Sequence, residues 1–415
     1  MSITSLAAAH AFGKGKESDA VFTVLKEANA AIAKLGRDKV VNASIGAIHD
    51  EEEKFVSLPS VEDYFRHLPA AELMSYAPIA GIPDFLDAVI ADTFQGNQPP
   101  NTFAKAVSAP GGTGAVRNAF NNYLEKGQKA LIPDWFWGNY RTIAEEHQLG
   151  IETYEMFDKD YNFTLNSVKE KALNLLQTQN NLVVVFNTPA HNPTGHSMTK
   201  EEWIDILGFF KECAKDEAKK IVILVDMAYI DYSGDLKGTR SFMQLFGNLP
   251  ENILVTFAYS MSKAYTMYGL RSGALVGLSS SLKIIEEFSE INTFSGRGVW
   301  SNGTRGPQRL LADVYKNADL KARIDVERAT YSDMMKKRAD IFIKEAREVG
   351  LITLPYSTGF FITVPAPDPR AVTQKLVLDN IYALHLKKGV RFAICAIPTH
   401  KVPGIATKTK EALGI

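Results

Sequence analysis

This chain of 415 residues is poor in cysteine and almost without net charge. Only Cys213 and Cys395 occur, with no CxxC spacing. That excludes a disulfide framework and a zinc ribbon, and it fits a reducing compartment, the cytoplasm; no metal is expected. Basic and acidic residues number 46 and 47, for a formal charge of -1, so no global field draws the protein to nucleic acid or an anionic membrane. Any anion must be held locally. No run approaches the roughly 18 consecutive apolar residues of a membrane helix. The opening MSITSLAAAHAFGKGKESD has neither the basic start nor the apolar core of a secretory signal. No GxGxxG follows an early strand, which disfavours a Rossmann dehydrogenase, and no GK[ST] makes a Walker A loop.

What is present is alternation. From about residue 104, short β-branched runs (KAVSA, KALIP, LVVVFN, IVILVD, ILVTFAYS, GALVGL) alternate with longer amphipathic stretches. Strands apolar throughout are covered on both faces, so the fold class is α/β, a mostly parallel sheet wrapped by helices. The length calls for a second, smaller domain. Beyond residue 307 come a long charged helical stretch, roughly Arg309 to Glu348, then strand-like ITLPY and GFFITV, a helix, RFAICAI and a final helix. The expected division is 1–50 as an N-terminal arm and part of the small domain, 51–307 as the large domain and 308–415 as the small one. Candidate ligand groups fall just past the strand ends, where the loops of open α/β sheets converge on one crevice.

The segment SMSKAYTMYGLRSG follows ILVTFAY and brings Ser260, Ser262, Lys263 and Arg271 together. A lysine there can lose charge by desolvation and become a nucleophilic amine for imine chemistry, while the serines and arginine hold a phosphate. Asp226 ends the strand IVILVD, with Ala228 and Tyr229 after it; taken alone, such an aspartate is more often a turn former or a cap. HNPTG, from His191 to Gly195, follows the strand LVVVFN and reads by itself as a tight turn. GGTG opens a helix after KAVSA, so Gly112 and Thr113 can offer N–H groups to an anion. Thr199 and Glu202 have capping-box spacing.

A serine three residues before a lysine and an arginine eight after it resemble the lysine signature of the class I aminotransferases, enzymes of fold type I that use pyridoxal 5′-phosphate. The resemblance runs from about residue 20 to the end. It implies that Lys263 carries the cofactor as a Schiff base, that Asp226 pairs with the pyridine nitrogen, and that Tyr229 and Asn192 reach the ring oxygen, Asn192 reaching the substrate carboxylate as well. Gly112, Thr113, Ser260, Ser262 and Arg271 would cradle the phosphate. Trp137 would stack on the ring with Asn139 behind it, Trp135 being the alternative, and His191 would support the site. Tyr76, from a neighbouring subunit, would touch the phosphate. In RGVWSN, Arg297, with Ser301 and Asn302, would take a distal carboxylate across the same interface, by the two parallel hydrogen bonds that arginine alone supplies. Such a site needs a homodimer. Gly46 would approach the substrate carboxylate, and Arg391 would clamp it. An inserted IPTHKVPG departs from the family pattern there, and another register puts Thr399 in that place. The implied activity is ping-pong transamination between aspartate, glutamate or an aromatic amino acid and a 2-oxo acid such as 2-oxoglutarate. A fold type I lyase or decarboxylase is the rival.

Overall fold

The computed structural model describes residues 5–15 and 20–415; residues 1–4 and 16–19 of the N-terminal stretch read above lie outside the described residues. Eleven strands are described: β1 (Val41–Ala43), β2 (Phe103–Ala109), β3 (Lys129–Pro133), β4 (Gly150–Tyr154), β5 (Asn181–Asn187), β6 (Lys220–Asp226), β7 (Ile253–Ser260), β8 (Gly273–Ser279), β9 (Phe361–Pro365), β10 (Ile381–His385) and β11 (Gly389–Ala393). Seven form one sheet in the order β2-β8-β7-β6-β5-β3-β4. Only β8 runs against its neighbours; the other pairs are parallel. The apolar runs split by parity. Leu182, Val184 and Phe186 of β5 join one buried cluster, whereas Val183 and Val185 join the cluster on the opposite face. That period of two lets a continuous apolar strand serve two helical layers.

The second sheet has the order β1-β10-β11-β9, and its β1 comes from the N-terminal part of the chain. Three local expectations change. The stretch from Arg309 to Glu348 is two helices, Arg305–Lys316 and Ala318–Val349. They part at Asn317, which leaves helical geometry and whose side chain accepts the Leu320 N–H at 3.0 Å, an N-cap. ITLPY is not a strand, although the Leu354 N–H reaches the Thr363 carbonyl at 2.9 Å. GIETY and IYALH, passed over by pattern, are β4 and β10. β4 is a half-buried edge strand without an apolar run. Core membership passes along the long helix, from the large-sheet cluster at Leu320 and Ile324 to the small-sheet cluster at Ala339, Phe342 and Ala346.

Candidate active site

The carboxyl ends of β5, β6 and β7 lie side by side, as the register Asn187 opposite Asp226 opposite Ala258 fixes. β7 ends in Ser260, whose hydroxyl accepts the Ser262 N–H at 3.2 Å and caps the short turn Met261–Ala264 that carries Lys263. The chain then doubles back through Arg271, at φ 49°, and its guanidinium donates to the Ser262 hydroxyl at 3.2 Å and the Tyr268 carbonyl at 2.8 Å. Beside them the helix Gly111–Tyr123 begins. A Cβ on Gly111, at φ +69°, would stand 2.8 Å from the Arg271 guanidinium, and one on Gly112 would meet Ser260 at 3.4 Å. Glycine is what permits this approach. Gly112, Thr113, Ser260, Ser262 and Arg271 thus converge as a helix N-terminus, two hydroxyls and a cation. That donor set suits a phosphate.

The Lys263 amine donates to the Gly46 carbonyl at 2.5 Å and stands 4.4 Å from the Tyr268 ring centre, with Phe360 at 5.7 Å and Tyr229 at 5.8 Å. Burial pushes its pKa down to about 8; Arg391 and Arg271 push the same way against Cys395. Half of the conditions for a nucleophilic amine are therefore built into the bare chain. Gly46 is constrained as well, since a Cβ there would lie 2.6 Å from the Phe361 ring.

Asp226 is buried and takes hydrogen bonds from the Tyr140 hydroxyl and, at 3.3 Å, the Ala228 N–H. Burial pushes its carboxyl up despite these donors, so a cation beside it would be well compensated. Asn187 donates to the Asp226 carbonyl at 2.8 Å and accepts the Asn192 N–H at 2.6 Å, tying the HNPTG turn to the strand ends. The Asn192 amide donates to the Tyr229 hydroxyl at 3.3 Å and accepts from Arg391 at 3.1 Å. Arg391 also donates to the Ser44 carbonyl at 2.9 Å and lies 4.2 Å over the Phe361 ring. Thr399 binds Glu51 through its N–H and its hydroxyl.

Trp137 meets Tyr140 edge-on at 5.6 Å, one residue removed from Asp226, while Trp135 is core, close enough to β11 that a Cβ on Gly389 would touch its indole at 3.1 Å. Asn139 starts the helix Asn139–Glu146. His191 binds Thr194 at 2.9 Å, and burial pushes its pKa down to about 3. Thr199 and Glu202 form the expected capping box. Tyr76 and Arg297 are not among these groups: Tyr76 is 87% exposed, and Arg297 donates to Ser301 at 2.9 Å on its own helix end, with Asn302 beyond it. The sequence reading missed Tyr140, Asn187, Tyr268 and Phe360. Of these, only Asn187 carried a local signal, a polar residue closing an apolar strand.

Residues 38–407 match the family described as aminotransferase class I and II. The chain belongs to this family. It is a pyridoxal-phosphate-dependent aminotransferase. The cytoplasmic aspartate aminotransferase of Dictyostelium discoideum is 30% identical over 295 residues, spanning 68% of this chain and 63% of that one. An aminotransferase from Anaerococcus prevotii DSM 20548 has the same architecture, with a TM-score of 0.96 at 37% identity over 99% of this chain and 100% of that one. The aromatic-amino-acid aminotransferase of Burkholderia pseudomallei, solved covalently bound to pyridoxal phosphate, shares the fold with a TM-score of 0.78 at 21% identity over 98% of this chain and 100% of that one. The family's cofactor fits the residues present. The phosphate cradle, the desolvated amine and the buried carboxylate are the three groups that a phosphorylated pyridine aldehyde requires. Among the described residues, no helix is long and apolar enough to cross a membrane.

Proposed function

We propose that this aminotransferase moves the amino group between aspartate, glutamate or an aromatic amino acid and a 2-oxo acid such as 2-oxoglutarate, with Lys263 as both cofactor anchor and proton carrier. The observation that carries this reading is the setting of Arg391, buried 3.1 Å from Asn192 and within the same cluster as the Lys263 amine. A buried guanidinium already held by two acceptors is preorganised to take a carboxylate bidentately. Bound pyridoxal phosphate supplies an aldehyde and an electron-accepting ring. Lys263 would hold the cofactor through its amine, and that amine, once freed by an incoming amino acid, would be the group that takes the proton from the substrate Cα and delivers it to the cofactor carbon on the far side of the shared nitrogen. Asp226 would hold a proton on the ring nitrogen, and Tyr229 and Asn192 would bond the ring oxygen, Asn192 also reaching the substrate carboxylate. Gly112, Thr113, Ser260, Ser262 and Arg271 would fix the phosphate, and Trp137 would cover one ring face. Gly46 approaches the substrate carboxylate by its backbone.

The reading extends to a homodimer in the cytoplasm. Tyr76 would reach the partner's phosphate site, while Arg297 and Ser301 would reach its distal-carboxylate site; their exposure here supports that. The two cysteines are unbridged. We also propose the division 1–50, 51–307 and 308–415, supported by the pairing of Val41–Ala43 with Ile381–Ala383. A half-reaction screen tests the substrate class. Each of twenty amino acids is added to the holoenzyme and the cofactor absorbance followed; aspartate, glutamate, phenylalanine and tyrosine should convert it fastest. Conversion by none of these four, or release of pyruvate or ammonia without an acceptor, would defeat the proposal.

A further inference from the structure

Behind the lysine turn lies a charge cluster that the reaction does not use. Asp92, Asp231, Arg240 and Arg328 are all buried, the two arginines at 0% and 2% exposure. Arg240 donates to Asp231 at 2.7 Å and to the carbonyls of Asp92 and Thr93. Arg328 stands 3.5 Å from the same Asp231 oxygen and 5.0 Å over the Tyr265 ring. The Asp92 carboxylate accepts from the hydroxyls of Tyr259 at 2.6 Å, Tyr265 at 3.0 Å and Tyr315 at 2.6 Å. Burial alone would push the Asp92 carboxyl up, but Arg328, Arg240 and the tyrosines outweigh it and hold it ionised.

Replacing such a cluster by apolar side chains often costs no stability, so what it supplies is a defined geometry. The geometry is specific. Tyr259 immediately precedes Ser260, Tyr265 follows Lys263 by two residues, and the Arg328 Nε donates at 2.9 Å to the carbonyl of Ala264, the residue next to Lys263. We propose that Arg328 is a positioning residue for Lys263: braced by Asp231, it pins the Tyr259–Tyr265 segment from the long helix and so fixes where the amine stands. This rests on the reading that Lys263 carries the cofactor.

The test uses the full-length cofactor-free protein and measures capture of pyridoxal 5′-phosphate against pH. In that capture the amine adds to the aldehyde and water leaves; borohydride reduction and peptide mapping locate the label. Arg328→Met should slow capture at neutral pH by about tenfold or more, the scale of a small misplacement of a reacting group. The midpoint of its pH profile should rise, because a displaced amine loses the burial that does most to lower its proton affinity, and with it the push of Arg391 and Arg271, while Cys395, Tyr229 and Tyr268 also face it. Arg328→Lys, which keeps the charge but loses the bridging guanidinium, should slow capture less. Arg240→Met breaks the same cluster without a bond to the turn; it should lower the melting temperature yet leave capture within about twofold. The proposal is overturned if Arg328→Met and Arg328→Lys capture the cofactor at the unsubstituted rate and pH. Should Arg328→Met not fold, Arg328→Lys decides. Label found elsewhere than Lys263 in the unsubstituted protein would defeat the reading of the site instead.

Discussion

Two regions of this chain carry predicted site residues, and they differ in how finished they are. At the carboxyl edge of the large sheet, Lys263, Asp226, Asn192 and Arg391 each have a partner from another element, respectively Gly46, Tyr140, Tyr229 and Ser44. Tyr76 and Arg297 stand apart from these groups, and the Tyr76 side chain is 87% exposed. Among the described residues Arg297 bonds only Ser301, four residues along its own chain, and Met74 and Phe294 stand 84% and 82% exposed nearby in sequence. Lys263, Asp226, Asn192 and Arg391 are thus tied down within one chain, whereas the roles proposed for Tyr76 and Arg297 call for a second copy.

The comparison breaks most sharply at Lys263. Lys263→Ala should lower turnover by about 10⁴-fold with every substrate, since it removes the proposed proton carrier. Phosphate-bearing cofactor should still bind noncovalently to the cradle, and equilibrium dialysis would show it; a variant retaining a tenth of the activity would overturn the role. A second measurement follows from its proton affinity. The pKa falls from the ordinary 10.5 to about 8 in the folded protein, so across that window the unfolded chain binds more protons. Stability of the cofactor-free protein should therefore rise with pH there, and Lys263→Met should lose that slope.

Arg297→Ala sharpens the other side. If a second copy presents this guanidinium, losing a charge pair costs about 3 kcal/mol, roughly a hundredfold in kcat/KM for aspartate or glutamate. Phenylalanine and tyrosine should change by less than about threefold, having no distal carboxylate to lose. Equal losses on both classes would remove Arg297 from the site, and a monomer by sedimentation would remove the shared site altogether.

How much of this was legible differs between the two regions for a physical reason. The groups proposed to meet the cofactor sit at fixed spacings on one loop, as Ser260, Lys263 and Arg271 do, so a one-dimensional pattern suffices. The parallel sheet was readable because its strands are apolar on both faces, while half-buried β4 was not. Tyr140, Asn187, Tyr268 and Phe360 act through side-chain contacts across elements far apart in sequence, and an aromatic residue in a helix or after a turn carries no mark of what it will face. The break at Asn317 was missed because the charged pattern runs straight through it; its signal is one capping side chain.

The smallest expected effect lies among those missed residues. Tyr140→Phe keeps the ring that packs against Trp137 and Phe120 but removes the hydroxyl that donates to Asp226. That donor opposes the upward push of burial on the Asp226 carboxyl, so its loss should raise the proton affinity of Asp226 and weaken its hold on a cationic ring nitrogen. One buried hydrogen bond to a charged group contributes about 1.5–3 kcal/mol in total, but the residual Ala228 N–H and the bound cation recover part of it. A loss of about 1 kcal/mol, roughly fivefold in kcat, is expected, equal for aspartate and tyrosine because the change lies at the cofactor and not at the substrate side chain. A loss that discriminated between the two substrates would place Tyr140 on the substrate side, and the clean separation between the two regions would fail.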